Sequence, residues 1–162
     1  MTATVAFYIG GGSTIDKFIS WWTADFKDKF NGKWELIPSH VEISFDKVSW
    51  WSASTRNGVF RKKIIQLNQD KWRLYSFEVS KEESDAMIAK ARNFLGMQYD
   101  WANIIFSDGL KLDIGAKNKL TCDESVARIL LLCWVGGGLN KINNLNPKRL
   151  EEYISNILKE AP

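Results

Sequence analysis

Residues 48–65 constrain the fold of this chain more than any other stretch. Two extended runs, Val48 to Ser54 and Gly58 to Ile65, flank Thr55-Arg56-Asn57-Gly58. An Asn-Gly pair accepts the positive φ that a tight reversal needs, so the two runs read as a β-hairpin. Other strands stand ready to extend it. Ser39 to Phe45 alternates, with Val41, Ile43 and Phe45 facing one way and His40, Glu42 and Ser44 the other. Trp72 to Val79 alternates as well. Thr4 to Ile9 is a short apolar run closed by Gly10-Gly11-Gly12, read as a buried strand and a tight turn.

Helical signals separate these strands. Ser13 or Thr14 caps a helix from Ile15 to about Phe30, with Ile15, Phe18, Ile19 and Trp22 on one face and Asn31-Gly32 ending it. Ser80-Lys81-Glu82-Glu83 is a capping box that opens a helix from Lys81 to Phe94, stopped by Gly96. A loop with room for a short helix over Trp101 to Phe106 follows. Cys122 then begins a strongly apolar helix to Val135, closed by Gly136-Gly137-Gly138. Asn146-Pro147 starts a last amphipathic helix with Leu150, Tyr153, Ile154 and Ile157 inward. The chain has no repeats and no linker, so residues 1–162 are expected to form a single α+β domain.

Composition narrows the function. With 45% apolar and 25% charged residues the chain reads as a soluble globular protein. A net charge of +3 is too small to imply nucleic acid as a partner. Arg61-Lys62-Lys63, the only compact basic run, reads as a solvated strand end. Tryptophans occur in pairs at Trp21-Trp22 and Trp50-Trp51, and such residues either fill a core or line a groove that grips a ligand. Cys122 and Cys133 fall in one expected helix, roughly 16 Å apart at 1.5 Å per residue. That is beyond disulfide reach, so both are expected as free thiols of a reducing compartment, normally the cytosol. One histidine and two separated cysteines make no zinc cluster, and no cofactor is expected. No signal peptide is read at the N-terminus, and no apolar run is long enough for stable membrane insertion.

Cys122 is the leading candidate for chemistry. A helix start favours a thiolate through its free N–H groups and dipole, and the same groups can stabilise an oxyanion beside the sulfur. A small buried residue at a helix start would look the same in sequence. His40 is the only imidazole available to act as its base. Glu42, two residues on, leaves the strand on the same face and can orient the ring; Ser44, Ser52 and Ser54 are alternative third members. Asp123 and Glu124 read as first-turn charges that oppose a thiolate somewhat. Cys133 reads as core packing, and Ser125 has no base of its own.

Gly96-Met97-Gln98-Tyr99-Asp100-Trp101, followed by Thr121-Cys122-Asp123-Glu124-Ser125, resembles the Gly-x-x-Tyr segment and Cys-bearing helix of NlpC-type cysteine peptidases. Ser39-His40-Val41-Glu42-Ile43, with the hairpin after it, resembles the histidine-bearing sheet of their circularly permuted, YiiX-like branch. In that branch the histidine precedes the cysteine, as here. The resemblance implies a papain-like α+β fold, an antiparallel sheet packed against a helix that carries the cysteine. It implies Cys122 as nucleophile, His40 as base and Glu42 as third residue, with Tyr99 beside the site. Asp123-Glu124 departs from the small residue usual after the cysteine in peptidoglycan enzymes.

The expected activity is therefore thiol hydrolysis of an amide or ester through an acyl-enzyme on Cys122. The expected substrate is a cell-wall peptide or a lipid acyl amide, contacted by Tyr99, Trp51 and Ser54. A catalytically silent scaffold serving as a binding or host-interaction module is one alternative, and an acyltransferase is another. Small size and the missing export signal would suit a phage protein acting in a host cytosol.

Overall fold

Seven strands and five α-helices make up the described part of this computed structural model, residues 1–100, 119–141 and 145–161. The strands are β1 (Thr2–Tyr8), β2 (His40–Ser44), β3 (Ser49–Ser54), β4 (Val59–Ile64), β5 (Trp72–Glu78), β6 (Gln98–Tyr99) and β7 (Lys119–Leu120). They curl into one sheet of order β5-β1-β2-β3-β4-β6-β7. Neighbours are antiparallel up to β6, but β6 and β7 run parallel, Gln98 opposite Lys119 and Tyr99 opposite Leu120. The α+β class read from the sequence is what the chain adopts, with this parallel edge added to the expected antiparallel sheet.

The reversal at residues 54–59 uses its glycine alone. The N–H groups of Asn57 and Gly58 both donate to the Ser54 carbonyl, and Gly58 takes φ +69° while Asn57 stays out of the left-handed region. β3 and β4 then pair from Ser54 opposite Val59 to Ser49 opposite Ile64. This register puts Phe60 on the same face as Ala53, and Lys63 on the same face as Trp50.

The helices are α1 (Thr14–Thr23), α2 (Phe26–Phe30), α3 (Lys81–Phe94), α4 (Cys122–Leu130) and α5 (Pro147–Glu160). One face of the sheet, including Val5, Phe7, Val41, Ile43, Ala53 and Phe60, meets apolar residues of α3, α4 and α5 in the core. Met87 and Ala91 of α3, Val126 and Ile129 of α4, and Leu150 and Ile154 of α5 all contribute to it. The capping box of Ser80 with Glu83 at α3 forms as the sequence implies, and of the two caps offered at α1 Ser13 is the one used, in a further capping box with Asp16. Asn146 caps α5 through the Arg149 N–H at 3.0 Å, with Pro147 in its first turn.

Three elements depart from expectation, each for a local reason. The helix expected over residues 15–30 is broken at Ala24, whose backbone is extended; Asp25 restarts it as α2. α1 is also rotated. Asp16, Ile19 and Ser20 turn inward, because Asp16 pairs with Arg56 at 2.7 Å and the Ser20 hydroxyl donates to the Ile37 carbonyl at 2.8 Å. The helix expected from Cys122 to Val135 ends at Leu130, where 3₁₀-type bonds from Leu132 and Cys133 tighten the last turn. The chain then doubles back so closely that a Cβ on Gly136 would lie 2.0 Å from the Leu130 carbonyl oxygen. Cys133 therefore sits in that turn and not in a helix, buried and unpaired with Cys122.

The short helix expected over Trp101 to Phe106 falls outside the described residues. Among the described residues, no helix is long and apolar enough to cross a membrane.

Candidate active site

β2 begins at His40, and the i, i+2 spacing does what a strand dictates. The His40 Nε2 lies 3.0 Å from Glu42 Oε1 and 3.2 Å from Ser52 Oγ. An ionised carboxylate only accepts, so the Nε2–H must donate to Glu42. In the neutral ring that assignment leaves the lone pair on Nδ1, which has no hydrogen-bond partner among the described residues.

Glu42 itself is fully buried, not the surface charge that a strand carboxylate usually is. Burial works to raise its pKa, but His40 and the Lys63 ammonium outweigh it and hold the carboxyl below the usual range. Lys63 hydrogen-bonds the same oxygen that faces His40. Lys63 was legible only as part of a basic run. Its role follows from register, because β4 places Lys63 beside Trp50 while β3 places Trp50 beside Ser44, on the His40 and Glu42 face.

These groups line a cavity of about 250 Å³. Ser54, Tyr99, Arg56, Asp16, Trp72 and Tyr8 contribute to its wall along with His40, Glu42 and Lys63. The Trp72 ring meets the imidazole edge-on at 6.2 Å between centroids. Ser54 and Tyr99 are thus where a substrate contact was expected. Trp51 is not: it lies on the opposite face beside Ile43, 6% exposed in the core, with the Lys62 ammonium 5.2 Å above its ring. Ser44 serves the turn, its hydroxyl bonded to Asp46 at 3.2 Å. The sequence reading also missed Asp16 and Arg56, whose ion pair joins α1 to the hairpin at the cavity edge.

Cys122 starts α4 on the core face of the sheet, with Thr121 as cap through the Glu124 N–H at 3.3 Å. The β2–β3 ladder comprises only Ile43 opposite Trp51 and Ser44 opposite Trp50. Beyond Ile43 the Val41 N–H turns to the Cys122 sulfur instead. The sulfur thus meets β2 at the Val41 backbone, on the core side of the sheet, and the Tyr99 hydroxyl, from the cavity wall, hydrogen-bonds it as well.

Cys122 is only 3% exposed and does not line the cavity that holds His40. The depressed thiol pKa expected at a helix start is reversed here. Burial and then the Asp123 carboxylate push it well above the ordinary value, and nearby backbone N–H groups pull it only partly back. The thiol donates to Asp123 Oδ1 at 3.8 Å. Burial likewise raises the Tyr99 hydroxyl far above its usual range. At neutral pH both groups are protonated. Among the described residues no cluster of histidine, cysteine and carboxylate side chains is arranged to hold a metal ion.

No protein-family model, no curated protein and no solved structure matches the chain.

Proposed function

We propose that the chain is a cysteine-dependent acyl hydrolase of circularly permuted, NlpC-type papain-like architecture. Cys122 attacks an amide or ester carbonyl of a cell-wall peptide or a lipid acyl compound. The observation that carries this reading is the state of His40. Its Nε2 faces Glu42 and Ser52, which in the neutral ring leaves Nδ1 as the base, and the Cys122 sulfur meets the same strand at the next residue, Val41.

The chemistry follows from the resting protonation states. Because the thiol is neutral, His40 acts as a general base during attack and not as the partner of a standing thiolate. Tyr99 moves off the sulfur as substrate enters. The S–H proton passes to Nδ1 while the sulfur–carbon bond forms. Glu42, ionised and buried, stabilises the imidazolium so produced. His40 then returns the proton to the leaving amine or alkoxide. A water, deprotonated by the same nitrogen, releases the acid from the thioester.

Intact mass spectrometry of the purified chain with muropeptides and lipid amides tests this. An acyl adduct on Cys122, absent in His40→Ala and unaffected by Cys133→Ser, is expected. Adducts that form equally well in His40→Ala would sink it.

One observation favours a second reading, a silent papain-like scaffold used for binding. The sulfur is buried beside a carboxylate, with its hydrogen bonds going to Val41, Asp123 and Tyr99. On that reading no panel member acylates Cys122, while ligands still protect cavity residues such as Ser54 from exchange.

A further inference from the structure

The α1–α2 segment is oriented against its own composition. α1 turns Asp16, Ile19 and Ser20 inward and leaves Phe18 and Trp21 46% and 44% exposed. α2 buries none of its residues, and its Phe26 and Phe30 are 77% and 78% exposed, their rings 4.8 Å apart. A helix on the surface of a globular protein normally shows the reverse, its apolar stripe to the core and its polar face to water. Phe18 and Trp21 both meet the Trp22 ring, Phe26 meets Phe30, and Lys29 of α2 lies over Trp21, so the two sets of exposed rings belong to neighbouring helices; exposed apolar patches mark interaction sites.

Charge identifies the partner. Residues 14–36 carry Lys17, Lys27, Lys29 and Lys33. Lys29 lies 4.5 Å over the Trp21 ring, and the other three are exposed. The carboxylates of the segment are largely spoken for: Asp16 pairs with Arg56, and Asp25 and Asp28 pair with Lys148. Because Asp25 and Asp28 share the single Lys148 ammonium, Glu35 and one further negative charge oppose the four lysines, and a positive surplus remains. Exposed tryptophan and phenylalanine fringed by lysine is the composition of a bilayer interface, where rings enter the headgroup layer and ammonium groups meet lipid phosphates. An anionic leaflet attracts each such lysine in addition.

We propose that residues 14–36 dock on the surface of an anionic phospholipid bilayer through Phe18, Trp21, Phe26 and Phe30, with the lysines at the phosphate level. The contact is peripheral and does not span the membrane. Asp16 and Ile19 of the same helix also line the His40 cavity, so docking sets that cavity beside the bilayer. The docking does not rest on the catalytic reading.

Co-sedimentation of the full chain with vesicles tests it. Binding to phosphatidylglycerol-containing vesicles is expected, falling with added salt. It should weaken by at least about tenfold in Phe26→Ala/Phe30→Ala, because each ring lost removes apolar area from the bilayer contact. Lys27→Glu/Lys33→Glu leaves every ring in place and should weaken it too, which separates loss of docking from loss of fold. Absence of binding by the unmodified chain would overturn the proposal. So would equal binding to pure phosphatidylcholine, or binding unchanged in both variants. A dimer in solution that Phe26→Ala/Phe30→Ala dissociates would assign the patch to a second copy, and would overturn it as well.

Discussion

Glu42 holds a charge on a fully buried side chain, and its cost is met only because His40 and Lys63 converge on it. Removing that charge leaves Lys63 partly buried and unpaired, so Glu42→Gln is expected to destabilise the chain by about 3 kcal/mol at neutral pH, read by chemical denaturation. The sign of the pH dependence follows from the lowered pKa. The contribution of Glu42 is fully present above its unfolded value near 4.5 and is lost as pH falls through the lower folded value. That part of the acid sensitivity should vanish in Glu42→Gln. At Cys122 the neighbour acts the other way. Asp123→Asn removes a negative charge beside the sulfur, so iodoacetamide labelling of Cys122 at neutral pH should rise on the order of tenfold. A rate unchanged in Asp123→Asn would place the high pKa in burial alone. The pairing of His40 with Glu42 was legible from strand alternation. The buried state of Glu42 was not, because it depends on which residues β3 and β4 bring alongside.

Elements were legible where a cap or a turn residue decides them locally. The capping box at Ser80 and Glu83, the Asn146-Pro147 start and the Gly58 reversal each came through in the sequence. α1 was misjudged because two rival faces exist on it. The apolar spacing of Ile15, Phe18, Ile19 and Trp22 competes with the tertiary partners of Asp16 and Ser20, and the partners win. The end of α4 was misjudged for another reason, since three glycines mark a stop without saying which one is obligatory. The geometry separates them. Gly136→Ala drives a Cβ onto the Leu130 backbone carbonyl, which cannot yield, and should cost about 3 kcal/mol. Gly137→Ala meets only the Trp134 carbonyl at 3.6 Å from a right-handed helical backbone, and should stabilise by a few tenths to about 1 kcal/mol. Thermal melts of the two variants should therefore move in opposite directions; a shared direction would refute the tight return after Leu130.

At the scale of the molecule, α4 and β2, far apart in the chain, meet because Cys122 starts α4 on the core face beside the Val41 backbone, where the β2–β3 ladder is short, while the His40 side chain leaves the other face with Glu42. Periodicity can place each residue on its own element, but the parting of two strands is a property of the assembled sheet and leaves no local trace. The same holds for the way α1 and α2 are fastened. α5 carries Glu151 to Arg73 of β5 at 2.7 Å and Lys148 to Asp28 of α2 at 2.9 Å, so one helix ties the aromatic segment to the sheet. Lys148 is 13% exposed and Asp28 23%, whereas Asp25, its other partner, is 74% exposed and screened by water. The Asp28 bond should therefore carry most of the tie. Lys148→Met keeps the aliphatic stem and removes the charge, and should cost about 1–3 kcal/mol. Its signature is local. Hydrogen exchange should accelerate through residues 14–36 while the amides of β1 and β5 keep their protection, as expected for a segment held to a stable sheet by few bonds. Acceleration spread evenly over the sheet would instead make α5 a strut of the whole core, with the α1–α2 segment no looser than the rest.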